Sequence, residues 1–175
     1  NLKLIEDFVA QGFKKNQIFI TGRSCGGWMT MMLLSRYKDI AAGGISFVPE
    51  CYGRLTKMYK VKKVGVEEAL KKFKEKDGSG PANMRQKQIE EIKKSQNLPV
   101  LVFTHPKDPF GGLLSDWVEE ISGVKRIVIS EDNKVNGKSC NVWGKPIKNY
   151  HDIDRATCFK EFNQKILEFI ASKIT

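Results

Sequence analysis

A chain of 175 residues, 41% hydrophobic and 29% charged, is long enough for one domain with a real core, and its balance is that of a globular protein. No apolar run reaches the roughly 18 residues of a membrane-crossing helix, and no secretory leader pattern is present, so no membrane partner is expected and a cytoplasmic setting is. The net charge of +10 is local: residues 54–94 hold 13 Lys/Arg against 6 Asp/Glu, which is +7 of the total. No aromatic interleaving or nucleic-acid motif accompanies that charge, so no nucleic-acid partner is expected.

In chain order, Leu2, Ile5, Phe8 and Val9 share one face of a helix, with Gly12 placed to end it. A buried strand follows at Ile18–Thr21, and then a helix apolar on nearly every side through Trp28, Met29, Met31, Met32, Leu33 and Leu34. Gly44–Val48 reads as a second buried strand, closed by Pro49. The basic stretch, residues 54–95, reads as an insertion or cap within a single domain spanning 1–175. It holds a helix at Val66–Lys76 and an exposed helix at about Ala82–Ser95. Pro99–Phe103 is a third strand, Leu113–Ile121 a helix and Arg126–Ile129 a fourth buried strand. Glu131 to Tyr150 is a polar loop with turn signals at Asn136-Gly137 and Gly144, and Ala156–Ile174 is a closing helix. Strands that are solid apolar runs, alternating with helices, predict an α/β protein whose mostly parallel sheet is covered by helices on both faces.

Between the first strand and the second helix lies Gly22-Arg23-Ser24-Cys25-Gly26. Strand, G-x-S-x-G, helix is the setting of a nucleophile elbow, in which a serine on a sharp turn presents its hydroxyl at the top of the sheet. The flanking glycines are expected to let strand and helix pass closely. The start of the helix offers backbone N–H groups and a partial positive charge where an oxyanion would develop. The cysteines Cys25, Cys51, Cys140 and Cys158 lack C-x-x-C or zinc-type spacing, so free thiols in a reducing compartment are expected, and no bound metal.

A serine hydroxyl needs a base to take its proton and an acid to orient the base. The chain has two histidines, His105 after the third strand and His151 before the last helix. Ser24, Asp108 and His151 stand in the order nucleophile, acid, base, each just beyond the C-terminal end of a strand or in the loop that follows one. Parallel strands bring those ends to one edge. His105, at a strand end, is expected to be packed or hydrogen-bonded. Asp116, the other acid considered, is expected to cap a helix.

Ile18-Phe-Ile-Thr-Gly-Arg-Ser-Cys-Gly-Gly-Trp-Met, Leu98-Pro-Val-Leu-Val-Phe-Thr-His-Pro-Lys-Asp-Pro-Phe and Tyr150-His151 ahead of a terminal helix together resemble the C-terminal part of an α/β-hydrolase, of the dienelactone hydrolase and prolyl-oligopeptidase-like kind. The resemblance covers nearly all of the chain except about Arg54–Ser95. The chain departs from the family pattern at Pro106 and Asp152, where small residues are usual. The resemblance implies a serine hydrolase with Ser24 as nucleophile, Asp108 as acid, His151 as base and the Cys25 N–H as an oxyanion donor. It also implies a small-molecule ester or peptide substrate and no cofactor. The fold resembled has further strands before the elbow strand, so this chain is expected to be part of a longer protein. The outer edge of its first strand is expected to pair with the protein's own N-terminal segment or with a second copy. The alternative from another class is a non-catalytic module of the same fold that binds an acidic partner through its basic segment.

Overall fold

The computed structural model describes residues 2–129, 134–135, 138–139, 141–142, 145–146, 150–155, 160 and 162–174. Among these, four parallel strands form one sheet in chain order: β1 (Phe19–Arg23), β2 (Gly43–Phe47), β3 (Val100–Thr104) and β4 (Lys125–Val128). Strands that run the same way need connections that cross back over the sheet. Here α2 (Cys25–Arg36) joins β1 to β2, and a 3-10 helix over Gly112–Glu120 joins β3 to β4. Between β2 and β3 lie α3 (Leu55–Met58), α4 (Val61–Val64), α5 (Val66–Lys76) and α6 (Ser79–Lys93). Helix α1 (Leu2–Ala10) precedes the sheet and α7 (Asn163–Ala171) follows it. Two short antiparallel pairs, 134–135 with 138–139 and 141–142 with 145–146, lie between β4 and a 3-10 turn at Tyr150–Arg155.

The alternation of side chains along β3 makes the layers visible. Val100 and Val102 join a core with Trp28, Met31 and Met32 of α2. Leu101 and Phe103 join the opposite core with Ile153, Phe162 and Phe169 of the C-terminal elements. All five residues of β3 are buried, so the strand reads as a continuous apolar run. This is the expected α/β architecture, a parallel sheet with helices on both faces.

The two outer strands differ from expectation. Ile18–Thr21 and Arg126–Ile129 were predicted to be buried, yet Phe19, Ile20, Arg126 and Ile127 are half-buried and Thr21 and Val128 are exposed, with Ile129 alone buried as expected. Both lie at the ends of the strand order, where one flank has no neighbouring strand among the described residues. On α1 only Ile5 is buried, while Leu4, Phe8 and Val9 remain exposed. Helix α2 buries most of its apolar side chains, with Met29, at 41% exposure, as the exposed one among its large apolar residues. The predicted turns at Gly137 and Gly144, the start of the predicted closing helix at Ala156, and Cys140 and Cys158 all lie outside the described residues.

The larger correction concerns the basic segment. Its second helix, expected to be exposed, is a core element: Ile89 and Ile92 of α6 are buried against the cluster that holds Trp28. Gln88 Oε1 accepts hydrogen bonds from Trp28 Nε1 at 2.6 Å and from the Tyr52 hydroxyl at 2.9 Å. Arg36 of α2 donates to both oxygens of Glu91, at 2.6 and 3.0 Å, which holds the Glu91 carboxyl below its usual range. Two isoleucines in a run of polar residues make no legible stripe, but they suffice where the facing helix supplies a tryptophan. Helices α3 to α5 form a cluster of their own around Leu55, Tyr59, Ala69 and Phe73. Burial and a hydrogen bond to Asp77 push the Tyr59 hydroxyl up to about 12.

Ile92→Ala separates a core helix from a peripheral one. Truncating a fully buried isoleucine should cost about 2–4 kcal/mol, seen as a drop of roughly 5–15 °C in Tm. A peripheral helix would register less than about 0.5 kcal/mol.

Candidate active site

Strand β1 ends at Arg23 and α2 begins at Cys25, so Ser24 alone makes the turn. Its backbone sits at φ 56°, ψ −125°, and its N–H is held by the Phe47 carbonyl at 2.9 Å. A non-glycine residue in that region stores strain of order 1–3 kcal/mol, and here the surrounding sheet imposes it. The turn is tight enough that a Cβ on Gly22 would land on the backbone of Gly26, and one on Gly27 would lie 2.7 Å from Ser46 Oγ. A Cβ on Gly26 would meet open space, so the glycines that permit the close approach are Gly22 and Gly27, not the motif's own second glycine. Cys25 opens α2, and its N–H belongs to the first turn, where the helix itself provides no acceptor. Ser24 Oγ donates to the Glu50 carbonyl at 3.3 Å.

Asp108 and His151 meet across 43 residues of sequence, with Nδ1 of His151 2.9 Å from Oδ1 of Asp108. Asp108 is 1% exposed, and its carboxylate accepts the Phe110 N–H at 3.1 Å and the Gly111 N–H at 3.0 Å. A buried carboxylate needs such partners. Because an ionised carboxylate can only accept, the imidazole proton belongs on Nδ1, and Nε2 is the basic nitrogen of the neutral ring. The imidazole is stacked on Phe110, with centroids 4.0 Å apart. His151 belongs to the turn Tyr150–Arg155, which is joined to the elbow strand by an ion pair from Arg23 Nη1 to Asp152 Oδ1 at 2.5 Å.

The other two candidates have different roles. His105 is 1% exposed, accepts the Lys107 N–H on Nδ1 at 3.0 Å and stacks on Tyr150 at 4.4 Å, so it is packed and bonded at the strand end. Asp116 was expected to cap a helix. Instead it lies exposed, in an ion pair with Arg126 at 2.8 Å.

Two residues at the site escaped the sequence reading. Glu50, 1% exposed, lies just after β2. Its Oε1 accepts the Cys51 and Tyr52 N–H groups at 2.9 and 3.0 Å, and its Oε2 accepts Arg85 Nη2 at 3.0 Å and Nε at 3.2 Å. Arg85, from α6, also donates to the Leu114 carbonyl at 3.1 Å and lies over the Trp28 ring. An acid directly after the strand-closing Pro49 was the available signal for Glu50. Arg85 was hidden among the 13 basic residues of its segment.

The expectation of free thiols is overturned for two of the four cysteines. Cys25 and Cys51 form a disulfide, their Cα atoms 4.2 Å apart, and both residues are exposed. The elbow turn brings Cys25 to the same edge as the loop after β2, a proximity that sequence spacing does not report. The expectation of a reducing compartment loses the support it drew from these two thiols. The bridge closes a separation of 26 residues, for which the chain-entropy account gives about 3.5 kcal/mol. Cys51→Ser, or a reductant, should therefore lower Tm by roughly 6–12 °C. An unchanged melting curve would mean that the bridge does not form in solution.

No family model matches the sequence, and no curated protein sequence matches it. Solved structures do. A thermostable esterase is 16% identical, covers 98% of this chain and 35% of its own length, and superposes with a TM-score of 0.54. An acylaminoacyl peptidase, solved in complex with Z-Gly-Gly-Phe-chloromethyl ketone, is 24% identical over 91% of this chain and 26% of its own, with a TM-score of 0.51. A monoacylglycerol lipase from Paleococcus ferrophilus is 15% identical over 98% of this chain and 74% of its own, with a TM-score of 0.53. The chain thus spans about a third of the esterase and a quarter of the peptidase. The neighbours are hydrolases that share the parallel sheet and its helical layers, and the chain has the α/β-hydrolase fold.

Proposed function

We propose that the protein is a serine hydrolase that cleaves an ester or amide bond by acyl transfer through Ser24. The observation that carries this reading is the buried Asp108–His151 hydrogen bond at 2.9 Å, formed at the edge of the sheet where the strained Ser24 stands. In the reaction, Ser24 Oγ attacks the substrate carbonyl while His151 Nε2 takes the hydroxyl proton. The Cys25 N–H, at the positive end of α2, donates to the oxyanion. Collapse of the tetrahedral intermediate breaks the bond to the leaving group, which departs with the proton from His151. Water, deprotonated by the same imidazole, then releases the acyl group and restores Ser24. Asp108 keeps the Nδ1 proton in place throughout. The residues supply every proton and electron pair, so the scheme uses neither metal nor cofactor. Esters are the default substrates because an alkoxide leaves more readily than an amine, and a small peptide is the alternative.

The outer edge of β1, with the exposed Leu4, Phe8 and Val9 of α1 nearby in the chain, is proposed to take a further strand. Its source would be a preceding segment of the same protein or a second copy. Small-angle scattering with intact mass should find one of these. A monodisperse, cooperatively melting monomer of this chain alone that hydrolyses esters would remove the requirement.

A fluorophosphonate probe should label the full-length protein at Ser24, and p-nitrophenyl esters should be turned over. Ser24→Ala and His151→Ala should each abolish turnover to a similar extent, leaving at most about 10³-fold over water, because nucleophile and base act as a unit. His105→Ala should be much milder. Esters turned over equally well by Ser24→Ala would end the reading of Ser24 as nucleophile, and a wild-type protein that neither labels at Ser24 nor turns over any ester would favour the binding module.

A further inference from the structure

The residue before the proposed nucleophile and the residue after the proposed base are bonded to each other. Arg23, the last residue of β1, places Nη1 2.5 Å from Asp152 Oδ1 and Nε 3.7 Å from Asp154 Oδ2. We propose that Arg23 is a positioning residue for His151: its guanidinium, held between Asp152 and Asp154, sets the distance at which the turn Tyr150–Arg155 presents the imidazole to Ser24. The inference rests on the serine hydrolase reading of Ser24 and His151.

Apart from Ile153, which is buried in the core that holds Ile45 and Val48, three further contacts of the turn run elsewhere. The His151 bond to Asp108, its stacking on Phe110 and the stacking of Tyr150 on His105 all run to the segment after β3. They fix the imidazole relative to its acid. They do not fix it relative to Ser24, which lies at the end of β1, two strands away in the sheet. The Arg23 pairs are polar contacts that reach β1 itself. They are aimed at the nucleophile's immediate chain neighbour, so a shift of the turn is resisted where it would matter for proton transfer.

The backbone of the turn is shaped for this bond. In a regular 3-10 helix, side chains two residues apart point about 120° away from one another. The turn is kinked at Asp152, with φ −102° and ψ 32°, and both Asp152 and Asp154 reach one guanidinium. A planar fork with donors on separate nitrogens can hold two carboxylates at once, which a lysine cannot do with the same geometry. The side chains of Arg23, Asp152 and Asp154 are 31, 27 and 25% exposed, so as a mere surface contact the cluster would matter little to stability. Its effect should appear in turnover.

The test uses the full-length protein with Arg23→Met, Arg23→Lys and the exchange Arg23→Asp with Asp152→Arg. The readouts are kcat and KM on a p-nitrophenyl ester, the rate of fluorophosphonate labelling at Ser24, and Tm. Misplacing a catalytic group by about 1 Å costs on the order of 100-fold. Arg23→Met should therefore lose roughly 10- to 100-fold in kcat and in labelling rate, with KM within about threefold and Tm within a few degrees. Arg23→Lys should recover part of the loss, and the exchange should recover more than Arg23→Asp alone. If Arg23→Met proves unstable, Asp152→Asn is read in the same way. Wild-type kcat and labelling rate in a folded Arg23→Met, with Ser24→Ala unlabelled, would overturn the positioning role and leave the hydrolase reading intact. A wild-type protein that is not labelled at Ser24 would overturn both.

Discussion

A single buried carboxylate organises the edge of the sheet that carries Ser24. Glu50 is almost wholly removed from solvent and accepts four hydrogen bonds, two from the backbone of the loop it begins and two from Arg85. Burying a charge is costly unless its lone pairs are filled and an opposite charge lies beside it, and here both conditions are met. The Glu50 carbonyl also accepts from Ser24 Oγ, so the residue that anchors the loop touches Ser24 directly. Through Arg85 the same carboxylate reaches α6, the Leu114 carbonyl and the face of Trp28. One ion pair therefore joins the elbow, the loop after β2, the basic segment and the first core.

Strain and restraint are balanced around Ser24. Its positive φ is imposed by the Phe47 carbonyl on one side and by the start of α2 on the other. Val48 also adopts a positive φ of 42°, an outlier for a β-branched residue, just before the chain turns toward Glu50. Both lie at the C-terminal edge of the sheet, next to the Cys25–Cys51 bridge, which links the residue after Ser24 to the residue after Glu50. Strained positions persist where the structure around them is over-determined. Here a disulfide, a buried ion pair and a parallel sheet all act on the same few residues.

The two departures noted in the sequence take on different meanings in three dimensions. Asp152, where a small residue is usual, is the partner of Arg23, the variable residue of the elbow motif. Neither position signals the other from 129 residues away. Pro106 follows a histidine that is stacked and hydrogen-bonded.

What the sequence determined by itself was local and periodic. The apolar runs at β2 and β3, the glycine-bounded serine between strand and helix, and the boundaries of α5 follow from side-chain alternation, turn chemistry and i,i+4 spacing. These act over a few residues and leave a readable pattern. The sharp turn at Ser24 and the meeting of Asp108 with His151 were also legible, because parallel strands deliver their C-terminal ends to one edge wherever the intervening chain goes. Tertiary structure alone decided which strands are edges, and hence that β1 and β4 are only half-buried. It alone made α6 part of the core through Ile89 and Ile92, paired Cys25 with Cys51, and matched Arg85 with Glu50 and Arg23 with Asp152 among 30 basic residues. The reason is the same in each case. A buried charge, a disulfide or an edge is defined by what lies across a gap in space, and residues 26 to 129 positions apart carry no local mark of the partner they will meet.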